Sequence, residues 1–472
     1  MKRKRVEVND GLSDYERKRL ENIKRNHEML NLLDIDMAAS FLKKKSTSTP
    51  KSKMKMKVEP TRRSLRNIEK TTGKTQLPFT FSPPPVITTT NTQHFANGPV
   101  DAVPKNDIEE AESQAFLSAL DNLNKETKVT CSILSEETSC FKSYKERISK
   151  LQVHPENVHK VVPNRITTMA IHPSCEKTVV CAGDKWGNVG FWDVEATNTE
   201  NNGIYVYRPH IGCVRTMFFH PERNNELMSC SDDGTVRRTD LNSCVFDDLY
   251  ASEDNCISSL SYPCNTRNTF LLGFGNGEVG VLDTRESSDC KKHWCHMRPI
   301  KCLHCSPDNG YLFCTSSSDA TVVLWDLRKI KGKKSKVDEY DGHRRSINSA
   351  YFSPVDGKYI LTTSWDDSIK ILEVTPSTNL EEKQKFKHYN NTGRWLSTFK
   401  ATWDPQNGRG FLVGSMLDPR RIQFYHAEQK TTPLLEKFSE NFTTISSTNV
   451  FHPTKNIIAS GNSSGKVFLW SE

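Results

Sequence analysis

The sequence predicts an all-β fold made of one unit repeated seven times, and three observations carry the prediction. From about residue 158 the chain becomes a series of short β runs separated by small-residue turns. The runs recur in one pattern: a first run that ends at a proline, a second that ends in a small-residue turn, and a third that ends in Trp-Asp or a substitute. The third-run aspartates Asp193, Asp240, Asp283 and Asp326 follow one another at 47, 43 and 43 residues. A period near 40–45 residues is that of a four-stranded β unit that must stack on its neighbours to bury its faces.

The elements follow in chain order. The first 150 residues carry the basic blocks Lys2–Arg5, Lys43–Lys45 and Lys51–Lys57, with Arg62, Arg63 and Arg66, then a Ser/Thr/Pro-rich stretch to Pro85. Such a composition buries too little apolar area to offset chain entropy, so 1–150 is expected to be mostly disordered. A short helix is expected at about 14–34, where Leu20, Ile23, Leu30 and Leu33 recur at helical spacing, and a weaker acidic one at 107–123. Residues 151–472 then hold seven repeats. They begin TMAIHP, TMFFHP, SLSYP, CLHCSP, AYFSP, KATWDP and NVFHP, and Thr239-Asp240, Leu282-Asp283 and Leu372-Glu373 stand for Trp-Asp in the degenerate copies. This is the signature of a seven-bladed WD40 β-propeller behind a largely disordered basic N-terminal region with short helices. The seventh repeat ends at Trp470 without an outer strand, and Val158–Val162 is expected to supply that strand and close the ring.

Composition narrows the function. Residues 1–75 hold 21 Lys/Arg against 10 Asp/Glu, whereas 151–472 hold 37 of each, so the net charge of +8 belongs to the N-terminal region. No apolar run approaches a membrane span and no secretory h-region follows Met1, which predicts a soluble intracellular protein without membrane contact. The 14 cysteines lie mostly in strand patterns and are expected to be reduced. Gly275–Gly280 matches GxGxxG but precedes no helix, and GNSSGKV from Gly461 is one residue short of a phosphate loop and lacks its Ser/Thr. Cys302-Leu-His-Cys305 falls on a strand, where an offset of three sends the thiols to opposite faces. Neither a nucleophile–base pair nor a carboxylate dyad stands out. A non-enzymatic protein with no cofactor, metal or small-molecule substrate is expected.

The two faces of the disc remain. Turns that lead into the innermost strand share a face with those between the second and third strands. Along that face the repeats place Lys185, Trp186, Arg215 and Lys301, then Arg344, Arg345 and Trp365, and finally Arg394, Trp395, Arg420 and Arg421. Asp184, Asp232, Asp366 and Asp418 lie among them at turn positions suited to capping backbone amides. Guanidinium and ammonium groups suit phosphates, and indoles stack on or wedge beside unstacked bases, so this mouth is a candidate DNA-binding surface. On the other face, Leu324-Trp325-Asp326-Leu327-Arg328 ends a third strand and projects Arg328 away from the basic mouth; Leu282-Asp283-Thr284-Arg285 is a second copy.

The segments YERKRLENIKRN, AGDKWGNVGFWDV, NNTGRWLSTFKATWDP and GSMLDPRRIQFY together resemble the WD repeat-containing protein 76 family, which is similar to the small subunit of the damaged-DNA-binding complex. The resemblance covers about 155–472 and the N-terminal segment. It implies a nuclear, chromatin-associated protein that binds DNA, with preference for ultraviolet-damaged or distorted duplex, in DNA repair and the damage response. It also implies an alternative role as a substrate receptor or scaffold of a cullin-4 ubiquitin ligase, docked through Trp325, Asp326 and Arg328 on the large damaged-DNA-binding subunit. The lesion-probing aromatic hairpin of the related subunit has no assigned counterpart in this sequence.

Overall fold

The computed structural model describes Lys24, residues 98–105, 112–113, 116–117 and 141–472, the last with short gaps at 197–200, 242–244, 265, 267, 286–289 and 430–431. Apart from Lys24, the helix expected at 14–34 and the basic blocks lie outside the described residues. Seven antiparallel sheets follow one another along the chain. Blade 1 runs from the strand Ile166–Ile171 to Ile204–Tyr207, blade 2 from Val214–Phe219 to Val245–Ala251, and blade 3 from Ile257–Ser261 to Cys290–Trp294. Blade 4 runs from Ile300–Cys305 to Lys336–Tyr340, blade 5 from Ile347–Phe352 to Leu380–Lys387, and blade 6 from Thr402–Trp403 to Leu435–Lys437.

Blade 7 is completed as the repeat count requires. Its own strands, from Ser446–Phe451 to Lys466–Trp470, are joined by Val158–Lys160, with Val158 opposite Phe468 and His159 opposite Val467. The Val161 N–H donates to Gly465 O at 3.0 Å, which carries the seam one residue further. Closure by pairing removes the sheet edge that an incomplete blade would leave open.

The second strands are buried along their whole length, as in Val179–Asp184 and Tyr359–Ser364, because each is covered by a blade on either side. Their turns are locked by polar sets. In blade 4 the His296 ring meets Asp319 at 3.0 Å and Thr315 Oγ1 at 2.7 Å, and the buried Trp325 indole donates to the same Thr315 at 2.8 Å. His343, Asp366, Thr362 and Ser368 repeat the arrangement in blade 5.

Three segments before residue 150 pack on the propeller, so the disorder expected of 1–150 does not extend to them. Val100–Asp101 pairs with the outer strand of blade 2, Val100 opposite Phe246, and the buried Arg237 donates to Gly98 O at 3.0 Å. Phe116 stacks on Tyr205 at 4.1 Å beside the buried Leu117, and Ser113 shares a 2.5 Å hydrogen bond with the Tyr207 hydroxyl. The helix Phe141–Ser149 (α1) buries Tyr144 and Ile148, one turn apart, in a cluster with Phe424, Phe442, Phe468 and Trp470 across the seam of blades 6 and 7. Its Arg147 pairs with the buried Asp404 and donates to Gln406 Oε1 at 3.0 Å and Asn456 Oδ1 at 3.2 Å. The compact unit accordingly spans Ile87–Glu472.

Candidate functional site

The innermost strands surround a central channel of about 540 Å³. In six blades the second residue of that strand is a β-bulge: the pairing register skips Thr167, Arg215, Ser258, Lys301, Asn348 and Ser447. A bulge leaves one residue out of the ladder and re-aims its side chain. In blades 2 and 4 the result is that Arg215 and Lys301 face the channel mouth. Lys400, in the approach to blade 6, joins them in the channel wall.

Charge in this mouth is unevenly balanced. Arg215 grips Asp232 with two hydrogen bonds of 2.7 and 2.5 Å, and its pKa is raised, the carboxylate outweighing the loss of water. Among the described residues neither the Lys301 nor the Lys400 ammonium has a hydrogen-bond acceptor or an ion-pair partner. Burial, together with the Arg215 and Lys400 charges, lowers the Lys301 pKa, and burial with Arg215 lowers that of Lys400.

Around the mouth the predicted residues separate into exposed and occupied groups. Lys185, Arg344, Arg345, Arg394 and Trp395 are exposed. Lys185 lies 5.2 Å from the centre of the exposed Trp186 ring. Trp365 is half-buried, with its backbone N–H on Ser346 O. Arg421 is occupied by Glu436 at 2.6 Å, and Arg420 by the Met416 carbonyl at 2.9 Å, so these two brace blade 6 more than they offer charge. Asp184 and Asp366 cap turn amides as expected, accepting from the N–H groups of Trp186 and Ser368, whereas Asp232 serves Arg215 instead.

The segment between blades 5 and 6 is the most prominent feature of this face. Arg165, at the start of blade 1, donates to the carbonyls of Arg394 and Leu396 at 2.8 and 3.4 Å, and Ser397 Oγ donates to Ile166 O at 2.5 Å. The segment therefore touches the start of blade 1 before it enters blade 6. Asn390, fully buried and bonded to Ser364 and Ser368 carbonyls, anchors its first half. Gly393, with φ +65°, lets the chain reverse and lifts Arg394 and Trp395 outward, the indole 86% exposed. Sequence reasoning missed Arg165 and Lys400. It also missed the exposed Met297, Tyr389 and Leu417 on the same face. Met297 and Leu417 lie in the very turns that define this face, but the reading there was of cations and tryptophans.

On the opposite face Arg328 is held by Asp326 through two hydrogen bonds, of 3.0 and 2.8 Å, and lies 4.4 Å above the Tyr311 ring. Its side chain keeps 58% of its exposure, whereas Trp325 is wholly buried in the blade 4 turn network. Of the expected docking box, then, Arg328 alone is free to reach a partner. Cys302 and Cys305 are buried toward different blades, Cys302 Sγ near Ala350 O of blade 5 at 3.5 Å and Cys305 in the blade 3–4 cluster. Among the described residues no group of three His, Cys, Asp or Glu side chains could hold a metal ion.

Comparison with known proteins adds to this geometry. The WD domain, G-beta repeat family matches residues 202–240, 288–326 and 334–372. WD repeat-containing protein 76 of Xenopus laevis is 35% identical over 477 residues, covering 98% of this chain and 80% of its own. The Mus musculus protein of that name is 31% identical over 98% of this chain and 74% of its own. DNA damage-binding protein CMR1 of Phaeosphaeria nodorum is 30% identical over 70% of each chain.

Proposed function

The chain belongs to the WD repeat-containing protein 76 family, and on that premise we propose that its channel-mouth face binds DNA and holds damaged or distorted duplex more tightly than intact duplex. The carrying observation is the company of four exposed cations, Lys185, Arg344, Arg345 and Arg394, with an indole that stands 86% clear of the surface. The name of the fungal relatives, DNA damage-binding protein CMR1, supports the same reading. The cations take phosphates and position the duplex; Trp395 stacks where a base step has opened. Distorted DNA gains because part of its unstacking cost is already met. A nuclear, chromatin-bound protein that recognises its target without catalysis follows from this reading.

A second surface favours a second role. The exposed guanidinium of Arg328, fixed by Asp326 on the opposite face, suits a protein partner, which supports service as a receptor for a cullin-4 ligase through the large damaged-DNA-binding subunit. One pair of variants tests both. Arg344→Glu/Arg345→Glu/Arg394→Glu should lower DNA affinity at least tenfold and flatten its salt dependence by about 0.9 per lost phosphate contact, yet still capture that subunit. Arg328→Ala should do the reverse. Unchanged anisotropy titrations for the triple variant would remove the basic face from DNA binding, and unchanged capture by Arg328→Ala would remove the docking role.

A further inference from the structure

The channel beneath the mouth has chemistry that the duplex-binding rim does not use. Two tiers line it. The upper tier is Arg215, Lys301 and Lys400, of which the two lysines have no acceptor among the described residues. The lower tier is aromatic. Because each bulge adds a residue, Phe218 and His304 lie three residues below Arg215 and Lys301 and line the same channel, with Tyr351 of blade 5 at the same level. Three residues of strand place the tiers about 10 Å apart at most. All three rings are half-buried, which leaves part of each open to the channel.

Hydrogen-bonding groups are also left over. His304 Nδ1 accepts the Phe352 N–H at 3.2 Å, and burial lowers its pKa to about 4, so the ring is neutral and carries its proton on Nε2. Asn449, buried in the same wall, has an Nδ2–H group without an acceptor among the described residues. A buried donor without an acceptor and two lysines without an ion-pair partner among the described residues favour an anionic occupant.

We propose that the channel binds a nucleotide unit, its phosphate between Lys301 and Lys400 and its base against Phe218, His304 and Tyr351. A volume of about 540 Å³ lies within the usual range for small-molecule sites and holds one nucleotide but not a duplex. The pairing of a cationic tier with an aromatic one selects a phosphate attached to a flat ring over a bare polyanion. The unit comes either from solution, as a free nucleoside monophosphate, or from DNA, as a nucleotide displaced from a duplex held on the rim; the second source rests on the DNA-binding reading above.

The test uses the full chain, wild type and Lys301→Gln/Lys400→Gln, with 2-aminopurine as the probe base. A variant that melts no lower than wild type is the expected control, since it removes two neighbouring, mutually repelling charges. In the first arm the probe lies at a mismatch within a duplex. Wild type should bind this duplex about tenfold more tightly than a fully paired one and quench the probe, as stacking on a side chain implies. The variant should bind both duplexes as wild type binds the paired one, without quenching. In the second arm the probe is the free 2-aminopurine monophosphate, and quenching by wild type but not by the variant assigns the free source. If wild type binds duplex but the variant discriminates and quenches equally, the channel proposal is overturned while DNA binding on the rim stands. If neither protein binds duplex and neither quenches the free nucleotide, both readings fall.

Discussion

At the residue scale, histidine recurs as a hydrogen-bond acceptor. His172 Nδ1 takes the Ser174 N–H at 3.2 Å, and His452 Nδ1 takes those of Thr454 and Lys455 at 3.1 and 2.9 Å, each closing the turn after a His-Pro pair. His304 does the same across blades for Phe352. A protonated imidazole has no lone pair to offer, so these bonds and burial work in one direction. Burial, with smaller contributions from His452 for His172 and from Lys455 for His452, lowers all three pKa values to about 4. In the unfolded chain the same rings titrate near ~6.5. Below that pH the unfolded state binds protons that the folded state refuses. Stability is therefore fully present above about pH 6.5 and is lost as pH falls toward 4. His304→Gln should flatten the slope in this window by about one proton, near 1.4 kcal/mol per pH unit. Urea midpoints at pH 7 and pH 5 check this, and a wild-type midpoint unchanged between them would refute it.

At the scale of elements, the propeller was legible because its repeat writes the same turn and the same terminal aromatic into each blade. The closing strand was legible for the complementary reason: the seventh repeat lacked an outer strand, and Val158–Lys160 is the β run that meets it. Helix α1 was not. Beyond Phe141 at its start, Tyr144 and Ile148 are the apolar residues of a segment otherwise made of lysine, arginine, glutamate and serine, and so short a stripe becomes a helix only when the seam of blades 6 and 7 covers it. The channel lysine at position 400 was missed because it lies just before the first strand of blade 6, Thr402–Trp403, outside the turns used to read this face. These two seam elements have different energetic roles. Tyr144 fills a hollow that Gly410 keeps open, since a Cβ at 410 would lie 2.3 Å from the Tyr144 ring. Tyr144→Ala should thus cost about 3 kcal/mol, as large aromatic truncations do, and Gly410→Ala should also destabilise by forcing the ring out. Removing residues 155–165 should cost more, because it opens the ring itself. A thermal melt unchanged by the deletion would refute closure by this strand, and one unchanged by Tyr144→Ala would make α1 a passenger.

For the whole molecule, charge is divided between parts that do different things. The first 75 residues hold 21 Lys/Arg against 10 Asp/Glu, and 151–472 are neutral in sum. A basic segment of that kind attracts any polyanion by releasing counterions, without regard to what the duplex looks like. The propeller is neutral in sum, and its exposed Lys185, Arg344, Arg345 and Arg394 share one face with Trp395 and with the channel. If discrimination belongs to that face, removing the segment should lower affinity for intact and damaged duplex by the same factor and reduce the salt slope of both, leaving their ratio unchanged. Where the chain is cut decides whether the experiment is interpretable. A cut at 150 would also remove the Val100–Asp101 strand, the Phe116–Tyr205 stack and α1, exposing core residues of blades 1, 2, 6 and 7. A cut at 86 respects the compact unit Ile87–Glu472. Anisotropy titrations of 87–472 at two salt concentrations should therefore show weaker binding with the damaged-to-intact ratio intact. If the ratio falls to one, discrimination lies in the N-terminal segment, and the propeller is a scaffold for other partners.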